Sequence, residues 1–329
     1  MSRNASVDIA KIIAAIFVIG VHTRPFRMAP EMLDFIFDKI IFRFAVPFFA
    51  ICTGYFMTKK LLKDGMSSWM PVKSMAFKTA GLYVVWSLFY LIVSVFEWYK
   101  SGSLTVSSFT GWLFSFAVGT SYYHLWYLSQ LFLALLLFYP IVKKLDDRWI
   151  LTIAIILWSI GVFVFVYSDC IPFMYRFVRE HYVFGAFYGT LGRIRILPLL
   201  LIGSLLAKRP AIEQKKAGLF ALISLVCLFG EVFILKEMGA IRFKYEFFSL
   251  PFAYFFFSLV VNSKISCPFD TRDLSKSSLY VYVLHPAVIL LLQQFIVTSD
   301  YMCFILVSII SLFLSIGIVW MKRRKILVN

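Results

Sequence analysis

Apolar stretches of about 20 residues, the length a helix needs to cross a bilayer, recur from one end of this chain to the other. That recurrence limits the fold more than any motif. About ten such segments are read, near 7–23, 41–58, 77–97, 124–142, 149–168, 186–207, 217–236, 245–262, 278–298 and 302–321. The connections between them are short, so an all-α polytopic membrane protein is expected, one transmembrane domain over 1–329 with no fused soluble domain. Residues 106–120 are apolar but short, which fits an interfacial or re-entrant segment. Composition agrees: 61% of residues are hydrophobic and 15% charged, against roughly half and a quarter in soluble domains.

The opening stretch is not a secretory signal. Lys11 lies inside the apolar run, and His22-Thr23-Arg24-Pro25 is no small-residue cleavage site. The net charge of +16 would suit nucleic acid, but in a membrane chain such an excess sets topology. With the N-terminus placed in the cytoplasm, twenty Lys and Arg fall in inner segments and nine in outer ones. N-in, C-in follows, with an even number of helices, and no nucleic-acid partner is expected. The five cysteines are scattered without metal-ligand spacing, so neither disulfides nor a metal site are read from them.

Ionisable groups at membrane depth are costly and tend to face a cavity or a partner. Lys11, Arg43, Arg193 and Arg195 lie within or beside spans, as do His22, His124 and His285. Eleven residues at about 100° each return Lys11 and His22 to one helix face, about 16 Å apart along the axis. Asp8 joins that stripe and can pair with Lys11. Arg43 and His124 are expected near the depth of His22. His285-Pro286 falls within the ninth segment, where proline leaves a backbone acceptor free; a site role and a bond to that carbonyl are both open. The aromatic neighbours of His124 leave an interface belt as its alternative. His181, beside Glu180, reads as a solvated bystander. Lys59, Lys60, Lys63, Lys73 and Lys78 form an inner basic rim, suited either to phosphates or to anionic lipid headgroups.

Four stretches in chain order carry a resemblance: RFAVPFFAICTGYF (43–56), HLWYLSQLFLALLLFYP (124–140), ILPLLLIGSLLAKR (196–209) and SLYVYVLHPAVI (278–289). They resemble landmarks of the integral-membrane acyltransferase family called type 3, both its short stand-alone members and the membrane half of vancomycin-resistance serine racemases. The resemblance implies O-acyl transfer, usually acetyl, from cytoplasmic acetyl-CoA to a hydroxyl of a cell-envelope or exported glycan, a transferase reaction on groups other than amino-acyl groups. It implies no metal. By it His22 matches the family's first-helix histidine, Arg43 opens the second motif, and His124 and His285 support the reaction. Lys11, Lys73, Lys78, Arg193 and Arg195 would hold the donor.

The chain departs from the pattern in three places. Lys11 stands for an arginine, Thr53-Gly54-Tyr55 stands for Ser-Gly-Tyr/Phe, and Lys73 and Lys78 stand where relatives carry arginines. A glycan or glycolipid acceptor, membrane lipid, envelope-biosynthesis partners or a homo-oligomer, and a bacterial plasma-membrane location are the corresponding expectations. The competing class is a transporter of a small polar solute such as serine.

Overall fold

The computed structural model describes residues 4–171, 173, 195–241, 243, 246–263, 265, 267–268, 270–295 and 299–324. Among them every regular element is helical. In chain order they are α1 (Ala5–Thr23), α2 (Glu31–Ile36), α3 (Ala45–Lys63), α4 (Met70–Lys100), α5 (Val106–Ala117) and α6 (Trp126–Lys144). Then follow α7 (Asp147–Val162), α8 (Ile196–Lys208), α9 (Gln214–Glu237), α10 (Ser249–Asn262), α11 (Arg272–Phe295) and α12 (Asp300–Arg323). Among the described residues seven helices are long and apolar enough to cross a membrane: α1, α4, α6, α7 with its extension to Cys170, α9, α11 and α12. Two shorter apolar helices, α8 and α10, accompany them. Large apolar side chains on α4 face outward, with Phe77, Val85, Leu88 and Ile92 each more than half exposed. Such a surface suits lipid, not water.

Local chemistry sets the ends. The Asn4 side chain accepts from the Val7 amide and starts α1, and Arg24, left-handed at φ 45°, closes it with an amide bond to the Gly20 carbonyl. Thr105 and Ser299 cap α5 and α12 in the same way as Asn4 caps α1. The second apolar segment does not start as a plain helix at 41. A π-turn (Phe37–Ile41) and a 3-10 turn (Phe42–Phe44) come first, and α3 begins at Ala45. A second π-turn, Phe163–Tyr167, extends α7. The eighth segment begins at Ser249 instead of 245, leaving Glu246 in the preceding turn. Residues 106–117 form α5, about 18 Å long and too short to span.

The chain divides into two compact units, interleaved in sequence: residues 1–52, 162–178 and 209–329, and residues 53–161 and 179–208. In the first, Ala15 and Ile19 of α1 pack with Val281, Val288, Ile289 and Leu292 of α11 and with Cys303 and Val307 of α12. In the second, α8 is buried along almost its whole length. Gly54 of α3 meets α8 so closely that an added Cβ would lie 2.1 Å from the Leu200 carbonyl oxygen. The Gly of Thr53-Gly54-Tyr55 therefore lets two backbones touch. Gly54→Ala is expected to force α3 and α8 apart and destabilise the protein by at least ~1–3 kcal/mol, read as a lowered thermal midpoint in detergent; an unchanged midpoint would refute the close crossing.

Candidate functional site

In the first unit α1 and α11 run parallel and are joined by polar contacts at two depths. Near their starts the Thr271 hydroxyl donates to Asp8 Oδ2 at 2.7 Å, and Lys11 Nζ donates to Ser275 Oγ at 3.3 Å. The Lys11 ammonium also faces the Cys52 thiol. Eleven residues further along α1, the His22 ring lies on the His285 ring, centroids 5.2 Å apart at 26°. His285 is fully buried. Its Nδ1 bonds the Val281 carbonyl at 3.2 Å. A carbonyl only accepts, so Nδ1 carries the proton and Nε2 is the basic nitrogen. The ring also bonds the backbone of Tyr282, whose carbonyl has lost its helical donor to Pro286. His285 thus bonds the freed Tyr282 carbonyl as well as that of Val281, and stacks on His22.

The turns before α3 bring Arg43 to the same end. Phe42 packs against Gly20 so tightly that an added Cβ would lie 2.7 Å from the phenyl ring. Phe42 is held in turn by Phe17, Phe26, Phe37 and Phe304. The close approach at Gly20 sets the next residue, Arg43, beside α1. Buried Asp38, in the π-turn, gathers the cations: Lys39 at 2.7 Å, Arg43 at 3.7 Å and Arg24 at 3.8 Å. Arg43 Nε also donates to the Asp38 carbonyl, and Arg24 pairs with Asp34. Arg43 and Asp38 are the charged side chains that act on His22.

Behind Arg43 lies a pair of buried acids. The Glu231 carboxylate accepts from the Phe247 amide at 2.7 Å, the Phe248 amide at 2.9 Å and the Tyr167 hydroxyl at 3.1 Å, which anchors the start of α10. Glu246 is 3% exposed, and its Oε1 has no hydrogen-bond partner among the described residues. Burial pushes its carboxyl up to about 7; its own backbone amide opposes this, the Glu231 charge adds to it and the Arg43 charge opposes it.

The remaining predicted residues fall in the second unit or outside the described residues. His124 is buried and ringed by Tyr90, Tyr122 and Tyr123, with centroids 4.9, 5.7 and 5.5 Å away. Close by, Arg195 stacks on Trp126 at 3.5 Å and donates to Gln130 Oε1 at 2.8 Å. The lysines gather at the other end of this unit. There the Tyr139 hydroxyl, near the end of α6, donates to the carbonyls of Met66 and Ser67 between α3 and α4. Lys59, Lys60, Lys63, Lys73, Lys143 and Lys144 share that end, while Lys78 lies further along α4. Lys73 rests on Trp69 and Phe77. Arg195 is thus about a helix length from the lysine cluster and does not join it. Arg193 and His181 lie outside the described residues.

A membrane-embedded helical chain with paired histidines and an arginine at one end defines a class, and comparison with known proteins names it. The model of an acyltransferase domain matches residues 4–323, so the chain belongs to this acyltransferase family. Among curated proteins it is similar to two amino-acid racemases of Enterococcus faecalis. One is 23% identical over 98% of this chain and 47% of the relative, the other 27% identical over 97% and 46%. A serine/alanine racemase of Enterococcus gallinarum is 26% identical over 86% of this chain and 40% of the relative. The chain therefore spans about half the length of the curated relatives it matches. No solved structure matches it.

Sequence reasoning missed Asp38, Glu231 and Glu246. The search for misplaced charge followed cations and histidines; the same cost applies to an acid inside an apolar run, and Glu231 within LFGEVF carried that signal.

Two predictions follow from this geometry. Gly20→Ala is expected to displace Phe42 and Arg43, costing ~1–3 kcal/mol of stability and lowering activity together with the thermal midpoint. Because folding raises the Glu246 pKa, its contribution to stability is complete below the unfolded value of about 4.5 and is lost as pH rises through about 7. Relative to Glu246→Gln, the parent midpoint is expected to fall between about pH 5 and pH 8; parallel pH profiles would exclude Glu246 as the source.

Proposed function

We propose that this protein is a membrane O-acyltransferase, moving an acetyl group from acetyl-CoA to a hydroxyl of a cell-envelope or exported glycan. It would act in the bacterial plasma membrane with both termini cytoplasmic. The observation that carries the reading is His22, stacked on a tautomer-fixed His285 and next to Arg43 and Asp38, in a chain of the acyltransferase family. A neutral imidazole is a competent general base near neutral pH. His22 takes the proton of the acceptor hydroxyl as its oxygen attacks the thioester carbonyl. Arg43 stabilises the oxyanion that forms. The carbon–sulfur bond then breaks, and the proton leaves with the thiolate as free CoA thiol. His285 fixes the plane of the His22 ring.

The exposed ammonium groups of Lys60, Lys63 and Lys73 suit the phosphates of acetyl-CoA, as separate point charges and not as bidentate clamps. The family arginine replaced by Lys11 is not needed for that contact, because Lys11 is engaged between α1 and α11. The names of the relatives favour one second reading, in which the hydroxyl belongs to serine, as an acceptor or as a transported solute.

The test is purified protein with carbon-14 acetyl-CoA, scoring release of label and transfer to acceptor. His22→Ala is expected to lower turnover about 10²–10⁴-fold with an unchanged thermal midpoint. Equal turnover in parent and variant would remove His22 as the base. No turnover in the parent, together with serine uptake into liposomes, would favour the transporter. Replacing Lys60, Lys63 and Lys73 by Gln is expected to raise KM for acetyl-CoA while kcat holds; a KM that does not move would place the phosphates elsewhere.

A further inference from the structure

Glu246 has no role in the chemistry above, yet it is a deeply buried acid in the first unit. It is 3% exposed, sits outside the regular helices, and keeps one carboxyl oxygen with no hydrogen-bond partner among the described residues. Burying such a group costs a few kcal/mol unless something satisfies it. Its neighbour Glu231 shows the contrast, since that carboxylate is saturated by two amides and a tyrosine hydroxyl and is plainly structural. Glu246 is within the electrostatic reach of Arg43, which also acts on His22.

Two π-turns frame this arrangement. Phe37–Ile41 carries Asp38 to Arg43, and Phe163–Tyr167 carries Tyr167 to Glu231. Such turns cost helix regularity and gather at functional sites. Phe247, next to Glu246 in the chain, packs edge-on against Phe163 and Tyr167, which ties the turn holding Glu246 to the second π-turn.

We propose that Glu246 contacts the acceptor, its open carboxyl oxygen taking a hydrogen bond from a hydroxyl of a neutral pyranose beside the hydroxyl that reacts. This rests on the acyltransferase reading and names the group that holds its acceptor. Burial favours the neutral form of this carboxyl, and a neutral carboxyl both accepts and donates. That is the complement of a hydroxyl, whereas an ammonium group would need a permanent anion. Arg43, opposite in charge and partly exposed, completes the polar surroundings.

The experiment is calorimetric titration of the full chain in detergent with methyl N-acetyl-β-D-glucosaminide and, separately, L-serine. Parent, Glu246→Gln and Glu246→Ala are compared, with thermal midpoints as the folding control. The expected result is glucosaminide binding by the parent, weakened about ten-fold or more by Glu246→Ala and less by Glu246→Gln, which keeps an acceptor oxygen. If the alanine variant does not fold, the isosteric glutamine variant with a weakening of about three-fold carries the test. Equal affinity in parent and folded variants, or no glucosaminide binding by the parent, overturns the proposal. So does L-serine binding lost equally in both variants, which would mark Glu246 as an ammonium site. Acetyl-CoA turnover by the parent is scored independently. Glu246-dependent sugar binding without turnover would defeat acyl transfer and leave this contact standing, and turnover without such binding would do the reverse.

Discussion

The parallel contact of α1 with α11 is the constraint on which the rest of the site depends. Asp8 with Thr271, Lys11 with Ser275 and His22 with His285 keep one register along the two helices. Asp8 and His22 are fourteen residues apart, and so are Thr271 and His285. In lipid such polar pairs have few competitors, because hydrocarbon offers no alternative partner. The apolar contacts of Ala15 and Ile19 with Val281 and Val288 hold the helices together between them. A sliding of one helix by a single turn would break every polar contact at once, so the register is set far from the histidines as well as at them.

On this pair the remaining parts are stacked by close packing. Gly20 admits the Phe42 ring, and Phe42 sets Arg43. Asp38 then holds three cations near one buried carboxylate, and Arg43 and Asp38 act on His22 in opposite senses. From the other side the Val281 carbonyl gives His285 one defined protonation, and the Tyr282 carbonyl that Pro286 frees bonds the same ring. The acyltransferase family supplies the class of chemistry, and the racemase names of the relatives belong to chains about twice as long.

Much of this could be read from the sequence, and the reasons are physical. Apolar length and the cost of charge in lipid located the helices and picked out His22, Arg43 and His285, which the folded chain brings together. Lys11 was also picked out, but its contacts with Ser275 and Cys52 depend on which helix packs beside α1, and periodicity carries no information about neighbours. Arg195 illustrates the same limit: its depth in the chain was read, and its stacking on Trp126 was not. The turns at 37–44 and 163–167 escaped because a π-turn keeps the same apolar composition as the helix it interrupts. Glu246 escaped because the expected helix swallowed it.

The two halves of the histidine pair are far apart in time as well as in sequence. Asp8 and its partner Thr271 are separated by 263 residues, which a ribosome adding 5–20 residues per second covers in roughly tens of seconds. During that interval α1 has entered the bilayer with an acid, a lysine and a histidine on one stripe, and α11 does not yet exist. The chain must therefore tolerate a helix with a polar stripe before it owns the helix that satisfies it. Insertion of α1 is balanced by a debt that only α11, made after those 263 residues, can settle.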